Sequence, residues 1–225
     1  GELSGNLAHE INQPLTTIGT YARTVLRRQE SGNLTPAAIT EASTEIAREA
    51  ERAGGIVQRI RHFARKREAT REAIRLADIA EDARRLIVGM LARAPEVVIE
   101  NRLKDGCQVL ADGAQIQQVL LNLIKNAIDA NRDLPADRQN LRILIEPMDS
   151  RVAVHVIDQG VGLSAEQLPH LFEPFFTTKP DGLGLGLPIC KTIIEAHGGR
   201  LWAEPNQDSP GMRFSFSLPC HELSA

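Results

Sequence analysis

Aromatic residues make up only 4% of this 225-residue chain, with one Trp and one Tyr. Proteins that hold nucleic-acid bases by stacking need aromatic platforms, and this chain has few. It also lacks a basic excess. Its 26 Lys and Arg against 29 Asp and Glu leave a formal net charge of −3, which argues against nucleic-acid binding through bulk positive charge. Cysteine is scarce too. Cys107, Cys190 and Cys220 are odd in number and show no C-x-x-C spacing, so reduced thiols in a cytosolic setting are the simplest reading. No apolar run approaches the length that spans a bilayer, and no leader peptide is legible. These features predict a cytoplasmic piece that makes no membrane contact, even if a longer parent protein is membrane-anchored. The G-x-x-x-x-G-K-[ST] of a P-loop is absent, and no G-x-G-x-x-G opens a first βαβ unit, so a Rossmann site is disfavoured.

What is present is enough for a core. Hydrophobic residues are 42% and charged residues 24%, which suits one or two folded domains. The chain is organised around residues 158–187, DQGVGLSAEQLPHLFEPFFTTKPDGLGLGL. Asp158, Gly160 and Gly162 follow the β-rich run VAVHVI, and Gly182, Gly184 and Gly186 alternate just before a helical pattern. Glycine allows close backbone approach. Free N–H groups at a helix start suit phosphates. A carboxylate at a strand end can accept from an exocyclic amine such as that of adenine. These residues therefore read as a nucleotide pocket with a lid between Gly162 and Gly182, or else as plain turn glycines.

Residues 2 to about 29 carry apolar side chains in steps of three or four, from Leu3, Leu7 and Ile11 to Leu15, Ile18, Ala22 and Val25. That is one helical stripe. SGNLTP interrupts it, and a second helix is predicted from Pro36 to Arg67, with Thr35 as its N-cap. Two such helices make an antiparallel hairpin with too little core of its own. Pairing with a second copy would give a four-helix bundle, so a homodimer is expected. LAHEINQPL in the first helix sets His9 beside Glu10, with Gln13 one turn on. Pro14 there removes a backbone donor and is expected to kink or loosen the helix. Adjacent His9 and Glu10 do not make a metal pair at helical spacing.

After a charged connector at 68–76, an α/β domain is predicted. Its helices are 77–94, 112–134 and 188–197. VVIENRL and CQVLAD read as short strands around a turn near Asp105-Gly106, followed by strands in LRILIEP, VAVHVID, RLWAE and MRFSFSLP. The middle helix places Asn122 and Asn126 four apart, with Lys125 and Asp129 nearby. An Asn carbonyl is a hard-oxygen ligand suited to Mg²⁺, and Lys125 could neutralise phosphate charge; two solvated surface Asn residues would look the same.

Taken together, these pieces resemble the catalytic core of a bacterial sensor histidine kinase. LAHEINQPL resembles the H box, QQVLLNLIKNAIDA the N box and DQGVGL the first glycine box. LFEPFFTTK resembles the F box, and GLGLGLPICKTIIEAHGG the second glycine box. Order and spacing match over nearly the whole chain. HEINQPL is similar to the subgroup containing oxygen- and dicarboxylate-sensing kinases. The resemblance implies a dimerising phosphotransfer hairpin over residues 1–70, forming a dimeric four-helix bundle. It also implies a Bergerat-type α/β sandwich that binds ATP and Mg²⁺ over 71–225. It casts His9 as phosphoacceptor, Glu10 as the acid that orients or deprotonates the imidazole, and Gln13 as the residue where many members have Thr or Asn for phosphatase action. It casts Asn126 as the Mg²⁺ ligand and puts Asn122, Lys125 and Asp129 near the phosphates. Asp158 would read adenine, with Gly160 and Gly162 shaping the pocket. Gly182, Gly184 and Gly186 would hinge the lid and, with Lys179, Leu183, Leu185 and Leu187, bind the nucleotide, and Phe172, Phe175 and Phe176 would anchor the lid to the core or to the hairpin.

The implied activity is autophosphorylation of His9 by Mg-ATP, then transfer to an aspartate of a separate response regulator. Two alternatives stand beside it: a Bergerat-type ATPase and a signalling scaffold that binds ATP without turnover. Gln118 lies where such ATPases need a water-activating carboxylate, which favours transfer to His9. The C-terminal SPGMRF departs from a Gly-x-Gly-Thr common in the family, with no consequence evident for Met212.

Overall fold

In the computed structural model the chain forms two compact units, Gly1–Lys66 and Arg67–Ala225. The structure describes residues 2–64, 70–91, 95–104, 107–179, 184–207 and 209–221, with the side chains of 2–11 and 57–64 outside the description. The expected stripe positions Leu3, Leu7, Ile11, Ile60 and Phe63, and the expected turn at Asp105-Gly106, are outside it.

The first unit is a pair of helices, α1 (Glu2–Glu30) and α2 (Pro36–Ala64). α1 runs on through Pro14 as one helix. Gly32 adopts φ +70 in the connecting turn, a conformation that costs glycine little. Thr35 caps α2 as expected: its hydroxyl accepts the Ala38 N–H at 3.2 Å, and Pro36 needs no donor at the first helical position. Ala38, Ala42 and Ile56 are buried, whereas Leu15, Leu26 and Ile39 stay exposed. Two helices alone cannot cover both apolar stripes.

The second unit is a sheet with helices α3 (Leu76–Met90), α4 (Gly113–Asn131) and α5 (Gly186–Ala196). Its strands are β1 (Glu72–Ile74), β2 (Val97–Asn101), β3 (Gln108–Ala111), β4 (Leu141–Met148), β5 (Arg151–Ile157), β6 (Arg200–Pro205) and β7 (Met212–His221). The order is β1-β3-β7-β5-β4-β2, with β6 also on β7. β4 and β5 form a tight hairpin around Asp149, which takes φ +53. Leu141, Ile143, Ile145, Val152, Val154, Val156, Phe214 and Phe216 alternate along their strands and meet Ile116, Leu120, Leu123 and Ile124 of α4 in one core. Period two on the strands and period 3.6 on the helix converge on that layer.

Two details differ from the sequence reading. β2 and β3 do not pair with each other: β2 lies parallel to β4, and β3 joins β1 and β7. Their closeness in sequence is not closeness in the sheet. The connector at 68–76 contains β1, a three-residue strand too short to carry a period.

Phe216 is the largest of the fully buried side chains. Phe216→Ala is expected to destabilise the sheet unit by about 3–5 kcal/mol, read as a lower urea midpoint for that unit's transition.

Candidate active site

Asp158 stands just past the end of β5 and is almost fully buried, at 1% exposure. Its Oδ1 accepts two backbone N–H groups, from Gly160 at 2.9 Å and Met212 at 3.0 Å. Its Oδ2 is buried and has no partner. Burial pushes the carboxyl above the usual carboxylate range, and the Met212 and Gly160 bonds pull the other way. A bare buried carboxylate oxygen costs free energy unless a donor reaches it, so this atom is built to receive one.

The surrounding backbone is fitted to that carboxylate. A Cβ on Gly160 would lie 2.7 Å from the Ala130 carbonyl, and one on Gly211 would lie 2.3 Å from the Asp158 carbonyl. Gly162 turns with φ +74. The Asn206 Nδ2 donates to the Asp158 carbonyl at 2.8 Å. Asn131, buried at the end of α4, accepts the Gln159 N–H at 3.0 Å and donates to the Gln139 carbonyl. Asn131 and Asn206 were not singled out from the sequence. Met212 does have a consequence after all, through its backbone: besides its donor to Oδ1, its carbonyl accepts the Asp158 N–H at 3.0 Å.

α4 carries the second cluster. Asp112 caps it through the N–H groups of Ala114 and Gln115. The Asp112 N–H in turn donates to His197 Nε2 at 3.1 Å, while His197 Nδ1 donates to the Ile193 carbonyl at 2.8 Å. One neutral imidazole thus ties the start of α4 to the end of α5. Farther along α4, the Lys179 ammonium donates to Asn126 Oδ1 at 3.1 Å and to Asp129 Oδ2 at 2.7 Å. The structure therefore brings Asn126, Asp129 and Lys179 together. Asn122 is half-buried toward Cys190 of α5, and Lys125 is exposed.

Gly182 and Leu183 lie outside the described residues. Gly184 takes φ +61, and its Cβ would fall 2.4 Å from the Phe175 backbone; its carbonyl accepts the Phe175 N–H at 3.0 Å. Phe175 itself has φ +71, a strained value for a bulky residue. Phe172 packs on the core. Leu185 is buried, and the half-buried Leu187 packs on the core. Gly186 opens α5, and a Cβ there would meet nothing within 4 Å, so no steric demand requires glycine at this position.

In the hairpin, His9 and Glu10 lie in α1 with side chains outside the description. Gln13 lines a cleft of about 590 Å³ with Asn12, Thr16, Arg48, Glu49 and Arg52.

Two families match this chain. The Histidine kinase-, DNA gyrase B-, and HSP90-like ATPase family covers residues 111–222, and the His Kinase A (phospho-acceptor) domain covers residues 1–69. Fold and site thus define an ATP-binding domain of the gyrase and HSP90 class preceded by a phospho-acceptor domain. The chain is 41% identical over 224 residues to the sensor protein FixL of Bradyrhizobium diazoefficiens, covering 97% of this chain and 43% of that protein. It is 35% identical over 231 residues to the C4-dicarboxylate transport sensor protein DctS of Rhodobacter capsulatus, covering 100% and 34%. Among solved structures, the catalytic domain of histidine kinase ThkA superposes with a TM-score of 0.58 at 34% identity, over 66% of this chain and 95% of that one. ThkA in complex with the response regulator TrrA superposes with a TM-score of 0.77 at 30% identity, over 97% and 61%. The chain belongs to the bacterial two-component sensor histidine kinases. It spans less than half the length of the curated relatives it matches.

Replacing Asp158 separates binding from folding. Asp158→Asn keeps an oxygen for the two N–H groups but puts a donor where Oδ2 was bare. Adenine-nucleotide affinity should fall at least about 100-fold, as in sites left with a mismatched buried polar group, while the Tm holds or rises. The sign follows from the raised carboxyl. The native state holds this proton more tightly than the unfolded chain, so this group favours folding as pH falls through the native pKa and costs stability above it. Calorimetric titration with an ATP analogue and thermal melts across pH test both parts.

Proposed function

We propose that this chain is a histidine kinase core that transfers the γ-phosphoryl of ATP to His9 and then passes it to an aspartate of a separate response-regulator receiver domain. The observation that carries the reading is the buried Asp158 with its bare Oδ2, the acceptor an adenine amine requires. The free N–H groups at the start of α5, around Leu185, Gly186 and Leu187, suit the phosphates. ATP and hairpin meet chemically in one step: the bond from the γ-phosphorus to the bridging oxygen breaks, a bond from phosphorus to an imidazole nitrogen forms, and ADP leaves. A neutral imidazole is nucleophilic near pH 7. Glu10 holds the other ring N–H and favours the developing imidazolium. The remaining demand is positioning and charge neutralisation.

The donor set at α4 suits a divalent cation. Asn126 Oδ1 and Asp129 Oδ2 are hard oxygens that already hold a cationic group, the Lys179 ammonium. Mg²⁺ bound to Asn126 would neutralise phosphate charge. Lys179, released from these oxygens, and Lys125 would face the same anion, with Asn122 nearby. Gln13 lies one turn after His9 in the hairpin cleft, where its amide can hold a water for dephosphorylating the partner. The exposed Leu15, Leu26 and Ile39 support a homodimer through a four-helix bundle, with residues 1–70 as the dimerising unit and 71–225 as the catalytic one. A cytoplasmic location suits ATP chemistry, and among the described residues no helix is long and apolar enough to cross a membrane.

Labelled ATP with Mg²⁺ should give a phosphoprotein stable in alkali and lost in acid, absent in His9→Gln and in Asn126→Ala. Rapid phosphate release with no protein label would favour an ATPase instead. Lys179→Ala should lower the labelling rate roughly ten- to a hundredfold, the worth of a charged hydrogen bond of about 1.5–3 kcal/mol, as measured by initial-rate autoradiography.

A further inference from the structure

Sequence spacing pairs none of the three cysteines, yet the fold brings two together. Cys107 and Cys220, 113 positions apart, place their Sγ atoms 3.2 Å from each other. Both are half-buried and neither is in a disulfide. Register explains the meeting. Val109 of β3 lies opposite Cys220 of β7, and Cys107 is two residues before Val109, at the entry of β3. Cys107 itself precedes the strand, and its N–H donates to the Lys104 carbonyl. The third thiol behaves differently. Cys190 is fully buried in α5, and burial pushes it up to about 12, so it is inert to mild oxidants.

We propose that Cys107 and Cys220 are an oxidisable dithiol that a peroxide-class oxidant closes to an intramolecular disulfide, tying the entry of β3 to the end of β7. The chemistry balances with hydrogen peroxide as oxidant. One sulfur, as thiolate, attacks a peroxide oxygen; the O–O bond breaks and a sulfenic acid and one water result. The second thiol's sulfur then attacks the sulfenic sulfur. An S–S bond forms, the S–O bond breaks, and the hydroxyl leaves with the thiol proton as a second water. Two thiols lose two electrons and two protons, and the peroxide becomes two waters. A thiol reductant reverses the reaction by exchange. Closure asks for an approach of about 1 Å, given an S–S bond near 2.05 Å.

The position gives the bond something to do. Among the described residues β3 meets β7 at two register pairs, Gln108 with His221 and Val109 with Cys220. β1 hangs on β3, and β3 runs directly into the Asp112 cap of α4. A covalent bond here closes a long chain loop at the least-paired joint of the sheet. It stabilises the strand that feeds the helix carrying Asn122 and Asn126.

The test is to oxidise the whole chain with hydrogen peroxide, unfold it, alkylate the remaining thiols and map peptides without reduction. The expected result is one intrachain peptide pair joining Cys107 to Cys220, an intact mass lower by two hydrogens, and an alkylated Cys190. The Tm should rise by several degrees over the reduced protein and return on reduction. Cys107→Ser and Cys220→Ser should each melt near the reduced parent and show neither the bridge nor the rise. Separate sulfinic acids on the two residues would overturn the proposal, as would a disulfide between two chains or a bridged form that melts lower than the reduced one.

Discussion

A carboxylate with one oxygen held by two N–H groups and the other left bare is an expensive thing to bury, and the second unit is arranged around one. Asp158 sits where β5 ends because β5 and β7 pair through to Ile157 and Arg213, which delivers the Met212 N–H to Oδ1. Side chains would not fit in the space around it. Gly160 passes against the backbone of Ala130, and Gly211 against that of Asp158 itself. Asn131 and Asn206 hold the loop from either side through main-chain groups. The net effect is an acceptor whose position is fixed from four directions and whose unmet demand is a single donor. Preorganisation of this kind moves the cost of ordering a site from binding to folding.

The rest of the site is tied to the same frame by small devices. His197 joins the cap of α4 to the last turn of α5 through one ring, so the helix with Asn122 and Asn126 and the helix that presents its N-terminus cannot shift independently without breaking a buried hydrogen bond. Gly184 is locked against Phe175 and Phe176 at backbone distance, and Phe175 holds a positive φ to allow it. Cys190 fills the gap between the helices beside Asn122. These contacts build the floor of the site from backbone packed at close range around Asp158 and Gly184.

How much of this is legible in the sequence depends on what carries the information. The helix stripes, the Thr35 cap and the glycines at 160, 162 and 184 are legible because a period, a cap residue or a positive φ restricts the residue type. The strand order is not, since β2 and β3 are neighbours in sequence but lie in different parts of the sheet. β1 is invisible because three residues hold no period. Met212 looked inconsequential because its contribution is a peptide N–H and C=O, which any residue but proline supplies. Asn131 and Asn206 escape for a related reason: a polar residue near a helix end or in a turn is ordinary until the fold buries it against a loop. The pairing of Cys107 with Cys220 needs the β3–β7 register, which no local pattern encodes.

The cation at α4 links the geometry to the reaction. Asn126 and Asp129 present two oxygens on one helix face, and Lys179 answers them. On the proposed reading, Asn126 and Asp129 would hold a Mg²⁺ ion in place of the Lys179 ammonium, which would leave that positive charge for the phosphates. Either cation would neutralise that face, which matters because an uncompensated carboxylate in a partly closed site is costly. A hydrolase would need a base for water as well. On α4 the position one helical turn before Asn122 is Gln118, whose amide cannot take a proton, so the same face that assembles charge for phosphoryl transfer does little to activate water.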